Sequence, residues 1–252
     1  MAGFNKNEAR RFLGSIDTRA KQFTFQTFQE KGDTNSKVLP RVITASSLNE
    51  VWREHEAGAG IYVTVNETDG TGRKRENIVR IRTVFSEDDG GYAGPFPLTP
   101  TMTVETSPGH RHHYWVVSDN WPADERGRTD FASVMERMVE TYGCDKSAKD
   151  ISRVLRLPGF LWRKKDKPDN KPFMVRIVEA KGQRYTREQI VTAFPPVVRE
   201  SKQTEHKERK AQGDEDERIR EALNSIDPDP RDLWLQMGMA IKAHMSDAGR
   251  PL

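Results

Sequence analysis

The alternation of apolar and polar positions is sharpest between Asn77 and Asp89, in NIVRIRTVFSEDD. With period two, Val79, Ile81, Thr83, Phe85, Glu87 and Asp89 share one face of a predicted strand, and Arg80, Arg82 and Asp88 take the other. The apolar face turns acidic at its C-terminal end. Upstream, residues 6–14 have helical spacing, and KQFTFQTF reads as a strand with Phe23 and Phe25 on a buried face. Ser47 with Glu50 has the form of a capping box ahead of Val51 and Trp52, predicting a helix over about 47–57. GAGIYVTVN is predicted as a strand and DGTGRKR as a glycine-rich turn, so that 77–87 pairs back on GAGIYVTVN in a long-looped hairpin.

Downstream, GGYAGPFPLTP is loop by its Gly and Pro content. TMTVETS and RHHYWVVS are two strands joined by Ser107-Pro108-Gly109-His110, where Pro then Gly suits a tight type II turn. Phe131, Val134, Met135, Met138, Val139 and Tyr142 follow helical spacing until Gly143 stops the helix, and this Met-bearing stripe reads as core packing. After the basic turn WRKKDKPDNK, PFMVRIVEA is a strand, and Thr186 with Gln189 caps a helix that ends before Pro195-Pro196. Strands and helices alternate without a strict βαβ rhythm. The expected class is therefore α+β, a sheet with helices on one side.

Composition changes this picture in two places. Residues 199–216 are almost devoid of apolar side chains and are expected to form a charged linker closing a domain over 1–198. Residues 217–252 regain helical spacing but are too few to bury a core of their own. The single cysteine, Cys144, excludes internal disulfides and a multi-cysteine zinc site, which fits a cytoplasmic setting. No apolar run approaches the roughly 18 residues of a membrane helix, and MAGFNKNEARR has no secretory h-region. A net charge of +3 with 31% charged residues suits a nucleic-acid partner and a solvated mixed-charge surface equally.

The candidate chemistry is polar and clustered. Glu87 and Asp89, projecting from one side of a strand end, suit a hard divalent cation, although an acidic turn that merely closes the strand has the same sequence. His112 stands near the turn end of its hairpin, with Tyr114 and Val116 on its face. Asp145 and Asp150 precede Arg153 and Arg156, and Arg163 and Lys164 follow. The arginines can fork onto phosphate oxygens or pair locally with the two aspartates. TGRKR and RKKDKPDNK are basic strips open to a phosphate backbone or to solvent alone.

In order, VFSEDDGG, VETSPGHRHHYWVV and YGCDKSAKDISRVLRLPGF resemble the motifs of the archaeo-eukaryotic primase superfamily, and above all the RepB-like primases of plasmids and phages. The upstream GAGIYVTVNETDGTGRKRENI is similar to the same group. The resemblance implies a primase-like catalytic core, with an RRM-like antiparallel sheet, flanking helices and a small α/β module. It implies a primase or primase-polymerase that transfers nucleotides from nucleoside triphosphates onto a single-stranded DNA template with two Mg²⁺ or Mn²⁺ ions. The family's paired carboxylates fall on Glu87 and Asp89, with Glu where many members carry Asp. Its small residue and His fall on Ser107 and His112, at a wider spacing than usual, and its third acid falls on Asp145, with Asp150 as the alternative. His112, Ser107, Arg153, Arg156, Arg163 and Lys164 are then expected around the triphosphate. The tail EALNSIDPDPRDLWLQMGMAIK is similar to the helical module that joins such cores to a helicase, so a helicase domain or partner is expected beyond Leu252.

Two rivals use the same residues. A metal-dependent nuclease or relaxase would employ the carboxylates and HRHH, with Tyr114 as nucleophile. A non-catalytic origin-binding domain would hold duplex DNA without metal and with sequence preference.

Overall fold

The computed structural model describes residues 3–30, 38–88, 95–163 and 171–197, all within one unit, Met1–Val198. In chain order the first half runs α1 (Lys6–Ile16), β1 (Phe23–Phe28), β2 (Arg41–Ala45), α2 (Asn49–Glu56), β3 (Gly60–Thr64), β4 (Glu67–Thr68), β5 (Ile78–Arg80) and β6 (Thr83–Asp88). The second half runs β7 (Met102–Ser107), β8 (His110–Val116), α3 (Glu125–Tyr142), β9 (Val154–Arg156), β10 (Leu161–Trp162), β11 (Phe173–Met174), β12 (Arg176–Ala180) and α4 (Arg187–Ala193). Two four-stranded sheets result, with strand orders β2-β1-β3-β9 and β12-β7-β8-β6, and every pairing within them is antiparallel. The class is α+β, as expected.

Sequence explains the central strands. FTFQTF in β1 lies between two partners and is buried along nearly its whole length, which aromatic and β-branched side chains suit. The polar positions that this burial traps are bonded: Thr24 Oγ1 lies 3.1 Å from Thr44 Oγ1 and 2.6 Å from Thr68 Oγ1. Each sheet has its own helical cover. α2 packs on β1 and β3, whereas α3 lies against β6, and the Phe194 ring after α4 meets Trp115 edge-on. From α1, Phe12 meets Tyr114 edge-on at 5.3 Å. Two sheets with separate helices replace the expected single sheet with helices on one side.

The turn Ser107-Pro108-Gly109-His110 closes β7 on β8, with Gly109 at φ 81°, where a side chain would be strained. α4 opens on the predicted Thr186–Gln189 capping box, and Gly143 ends α3 in the left-handed region at φ 67°.

Four further expectations are corrected. The hairpin between GAGIYVTVN and 77–87 does not form, because β3 pairs with β1 and β9 while β5 meets only the two-residue β4. The predicted strand 77–87 breaks at Ile81-Arg82. There Ile81 N donates to the Trp121 carbonyl, and Asn66 Oδ1 accepts from Arg82 N at 3.0 Å and Thr83 N at 3.3 Å. The break shifts the alternation, so Ile78 is buried and Val79 exposed, while Thr83, Phe85 and Glu87 keep the predicted common face. α2 begins at Asn49 behind Leu48 with no side-chain cap, so Ser47 and Glu50 form no capping box. PFMVRIVEA also divides, at Val175, whose main chain exchanges hydrogen bonds with Gly159 and Phe160. No helix of the described residues is long and apolar enough to cross a membrane. The expected linker 199–216 and helical segment 217–252 lie outside the described residues.

Candidate active site

The register of β6 on β8 sets Glu87 directly opposite His112, and that of β7 on β8 sets Val104 opposite His112 from the other side. Facing residues of an antiparallel pair project to the same side. The Glu87 carboxylate and the His112 imidazole therefore meet, with Nε2 3.9 Å from Oε2, and both residues are buried. The other ring nitrogen, Nδ1, lies 3.3 Å from the Tyr114 hydroxyl. Complete burial, with Glu87 nearby, holds that phenol well above its ordinary pKa. A buried, protonated hydroxyl orients the imidazole, and it is withdrawn from the nucleophilic role a relaxase would ask of Tyr114.

The other wall comes from the β1–β3–β9 sheet. Arg153, immediately before β9, forks onto Glu87 with Nε 2.9 Å from Oε1 and Nη2 3.2 Å from Oε2. Arg156, on β9, forks onto Glu30 at 3.1 and 3.3 Å and lies 4.8 Å over the Tyr62 ring. Burial, reinforced by the charges of Glu30 and Glu87, pushes the Tyr62 phenol up to about 12. Gly60 makes room for this pair, since a Cβ there would come within 2.6 Å of Glu30 Oε1. Between the walls lies a cleft of about 370 Å³, lined by Glu87, His112, Arg153 and Arg156 together with Ser107 and Trp162.

The remaining predicted residues divide. Asp145 reaches the cleft's edge through its main chain, Asp145 N donating to the Glu87 carbonyl at 3.3 Å. Its carboxylate accepts from Ser147 Oγ at 2.7 Å and Ser147 N at 2.8 Å, and these bonds, aided by the Arg153 charge, hold its pKa below the ordinary value. Asp150 accepts from Ser152 N and Oγ and lines different clefts, beside Arg75. Arg163 lies against His55, with Nη1 3.1 Å from the His55 carbonyl, and is not among the residues lining the Glu87 cleft. Asp89 and Lys164 fall outside the described residues. The local pairing considered for Arg153 and Arg156 with Asp145 and Asp150 gives way to forks onto Glu87 and Glu30, in both cases across strands distant in sequence.

Glu30, Tyr62 and Trp162 were not anticipated, because each sits on a strand or at a strand end whose neighbours only the fold reveals. Asn66 was missed as well. Its amide ties the start of β6 to the Ile151 carbonyl at 3.0 Å and so fixes the acidic strand to the turn before β9. Among the described residues no three His, Cys, Asp or Glu side chains converge on one point. The donor types fit a hard divalent cation nonetheless, since Glu87 presents two carboxylate oxygens at the cleft and Asp145 adjoins it.

The fold is shared with solved primase domains. The AEP domain of the cyanophage S-2L primase-polymerase superposes with TM-score 0.58 at 19% identity, covering 77% of this chain and all of that one. The primase RepB′ superposes with TM-score 0.51 at 16% identity over 86% of this chain and 66% of that one. The catalytic domain of RepB′ in complex with initiator DNA gives TM-score 0.47 at 20% identity, over 74% of this chain and 93% of that one. The chain belongs to the RepB DNA-primase N-terminal domain family, whose model matches residues 17–205. No curated protein matches the chain closely.

Proposed function

We propose that this domain is a primase-polymerase catalytic core that adds nucleotides from nucleoside triphosphates to a strand copied from single-stranded DNA. The observation that carries the reading is the meeting of Glu87, His112, Arg153 and Arg156 in one cleft, built from two separate sheets. In the reaction a 3′-hydroxyl oxygen bonds to the α-phosphorus of the incoming nucleotide as the bond to pyrophosphate breaks. Two Mg²⁺ or Mn²⁺ ions, held by Glu87 and Asp145 with Asp89, would lower the hydroxyl's pKa and neutralise charge on the leaving oxygens. The protein's own groups do the positioning. His112, oriented by Tyr114, faces the triphosphate from beside Glu87, and Ser107 offers a hydroxyl at the same rim.

Arg153 has two roles in this reading. In the nucleotide-free protein its guanidinium supplies the positive charge that Glu87 needs. Arg153 is about one-third exposed, and in this reading it turns from the carboxylate to phosphate oxygens when Glu87 takes a divalent ion. Arg156, held by Glu30 and Tyr62, adds a fixed positive charge nearby.

The test is primer synthesis on single-stranded DNA by Glu87→Gln. Loss of several kcal/mol of metal-assisted stabilisation corresponds to a fall on the order of 10²–10³-fold. Synthesis at the wild-type rate would remove Glu87 from the reaction and the proposal with it.

A further inference from the structure

Beyond the Glu87 cleft, two wider clefts of about 1140 and 700 Å³ lie side by side, with Arg75 and Asp150 lining both, and together they make up a trough. Its near wall is the segment 145–153, whose other side is the Glu87 cleft. Ser147 lines the trough, while its carbonyl accepts from Arg153 Nη1 at 3.4 Å on the cleft side. The trough therefore runs to within one turn of chain of the candidate catalytic carboxylate.

Lys74 and Arg75 line it from the loop before β5, and Lys146 and Lys149 line it from the segment before β9, all four exposed. Among the described residues none of the four is in an ion pair, in contrast to the arginines of the Glu87 cleft. The loop that carries Lys74 and Arg75 is fixed rather than merely solvated. Arg128 donates to the Arg75 and Ile78 carbonyls at 2.7 Å each, and Asn77 Oδ1 accepts from Lys74 N at 3.0 Å. Arg73 is spent on Gln26 and lies over Phe28, a neutral pairing that leaves its charge in the field of the trough. Glu76, Glu125, Glu136 and Asp150 share the lining, so the positive charge is spaced along the trough and not massed. Among the lining residues the one aromatic, Phe131, is buried and offers no platform for stacking a base.

Spaced, unpaired, pre-positioned ammonium and guanidinium groups with no stacking surface match a phosphate backbone and not bases. We infer that this trough carries the backbone of single-stranded DNA, the template, past Lys146 and Lys149 to the Glu87 cleft. The identification of the strand as template rests on the reading of that cleft given above, whereas binding in the trough does not.

The experiment is fluorescence anisotropy of a labelled single-stranded oligonucleotide over a series of salt concentrations, without nucleotide or metal. The proteins are wild type, Lys146→Ala/Lys149→Ala, Glu87→Gln, and Lys181→Ala as an exposed lysine that lines neither cleft. Losing two phosphate contacts should lower the slope of log affinity against log salt by about 1.4 in magnitude and weaken low-salt binding about tenfold or more. Lys181→Ala should bind as wild type. An unchanged slope in the double variant overturns the inference, as does a preference of the wild type for duplex of one sequence. Should the double variant lose binding while Glu87→Gln keeps full synthesis, the trough stands and the nucleotidyl-transfer reading of the cleft falls.

Discussion

Two clusters in this domain pair carboxylates with arginines, and they differ in what the pairing leaves free. In the first, Asp17 receives both Arg80 and Arg82, with Arg82 Nε 3.0 Å away, and Glu67 receives the same two arginines. Arg82 is almost wholly buried and stacks 4.8 Å over Phe23, so every charge there is shared and none can leave without stranding another. In the second, Glu87 is bound by the single fork of Arg153, which is partly exposed, and the pair opens onto a cleft that His112 also enters. Both clusters border a cleft, but the first shares its charges among four side chains, whereas in the proposed reading the second exchanges the partner of Glu87. A buried carboxylate whose counter-charge sits on a movable side chain can accept another cation, and one locked between two arginines cannot.

The most forceful way to break this contrast is to neutralise each acid. Glu87→Gln should cost synthesis on the order of 10²–10³-fold while the urea midpoint moves little, since Arg153 can turn to solvent. Asp17→Asn should do the reverse, lowering stability by about 3 kcal/mol because the buried Arg82 keeps only the 3.4 Å contact to Glu67, with synthesis by the remaining folded protein intact. Equal unfolding by both variants would erase the distinction.

Arg153→Lys sharpens the contrast on its mobile side. A lysine keeps the charge and loses the fork, so the KM for nucleotide should rise about tenfold with a smaller change in kcat. An unaltered KM would show that Arg153 does not meet the triphosphate.

A weaker effect appears with pH. Burial works against the Asp17 carboxylate, but the hydrogen bonds from Arg19 N–H and Arg80, with the charges of Arg82 and Arg80, outweigh it and hold its pKa below the ordinary value. A depressed folded-state pKa adds stability above the unfolded-state value, and that stability is lost as pH falls through the folded-state value. The urea midpoint of the wild type should therefore fall on acidification below the ordinary Asp range, and that of Asp17→Asn should fall less steeply. Parallel slopes would deny the network its part in stability.

Much of the second cluster was legible in the sequence, and the reason is local. Pro108-Gly109 sets the β7–β8 turn, and the alternation of TVFSED sets the phase of β6, so that Glu87 and His112 each present a predictable face. Their common fate as neighbours then needed only the resemblance to a known set of motifs. What stayed hidden depends on contacts between distant segments. Arg153 meets a carboxylate 66 positions away and Arg156 one 126 positions away, and nothing within either stretch distinguishes those partners from Asp145 or Asp150. The misplaced hairpin has a similar origin. GIYVT is an apolar strand that fits any buried neighbour, and what decides its place is the break at Ile81-Arg82, made by Asn66 and the Trp121 carbonyl from outside the strand. Arg80 and Arg82, read simply as the polar face of one strand, prove to be the interior of the first cluster.

The measurement closest to the central claim is a Mn²⁺ titration, followed by electron paramagnetic resonance in the presence of a nucleoside triphosphate, of wild type, Glu87→Gln and Arg153→Ala. If Arg153 holds the place that a divalent ion takes on Glu87, Glu87→Gln loses Mn²⁺ binding, and Arg153→Ala, freed of the competing guanidinium, binds the ion at least as tightly as wild type. Undiminished binding by Glu87→Gln would contradict that account, and so would weaker binding by Arg153→Ala at saturating nucleotide.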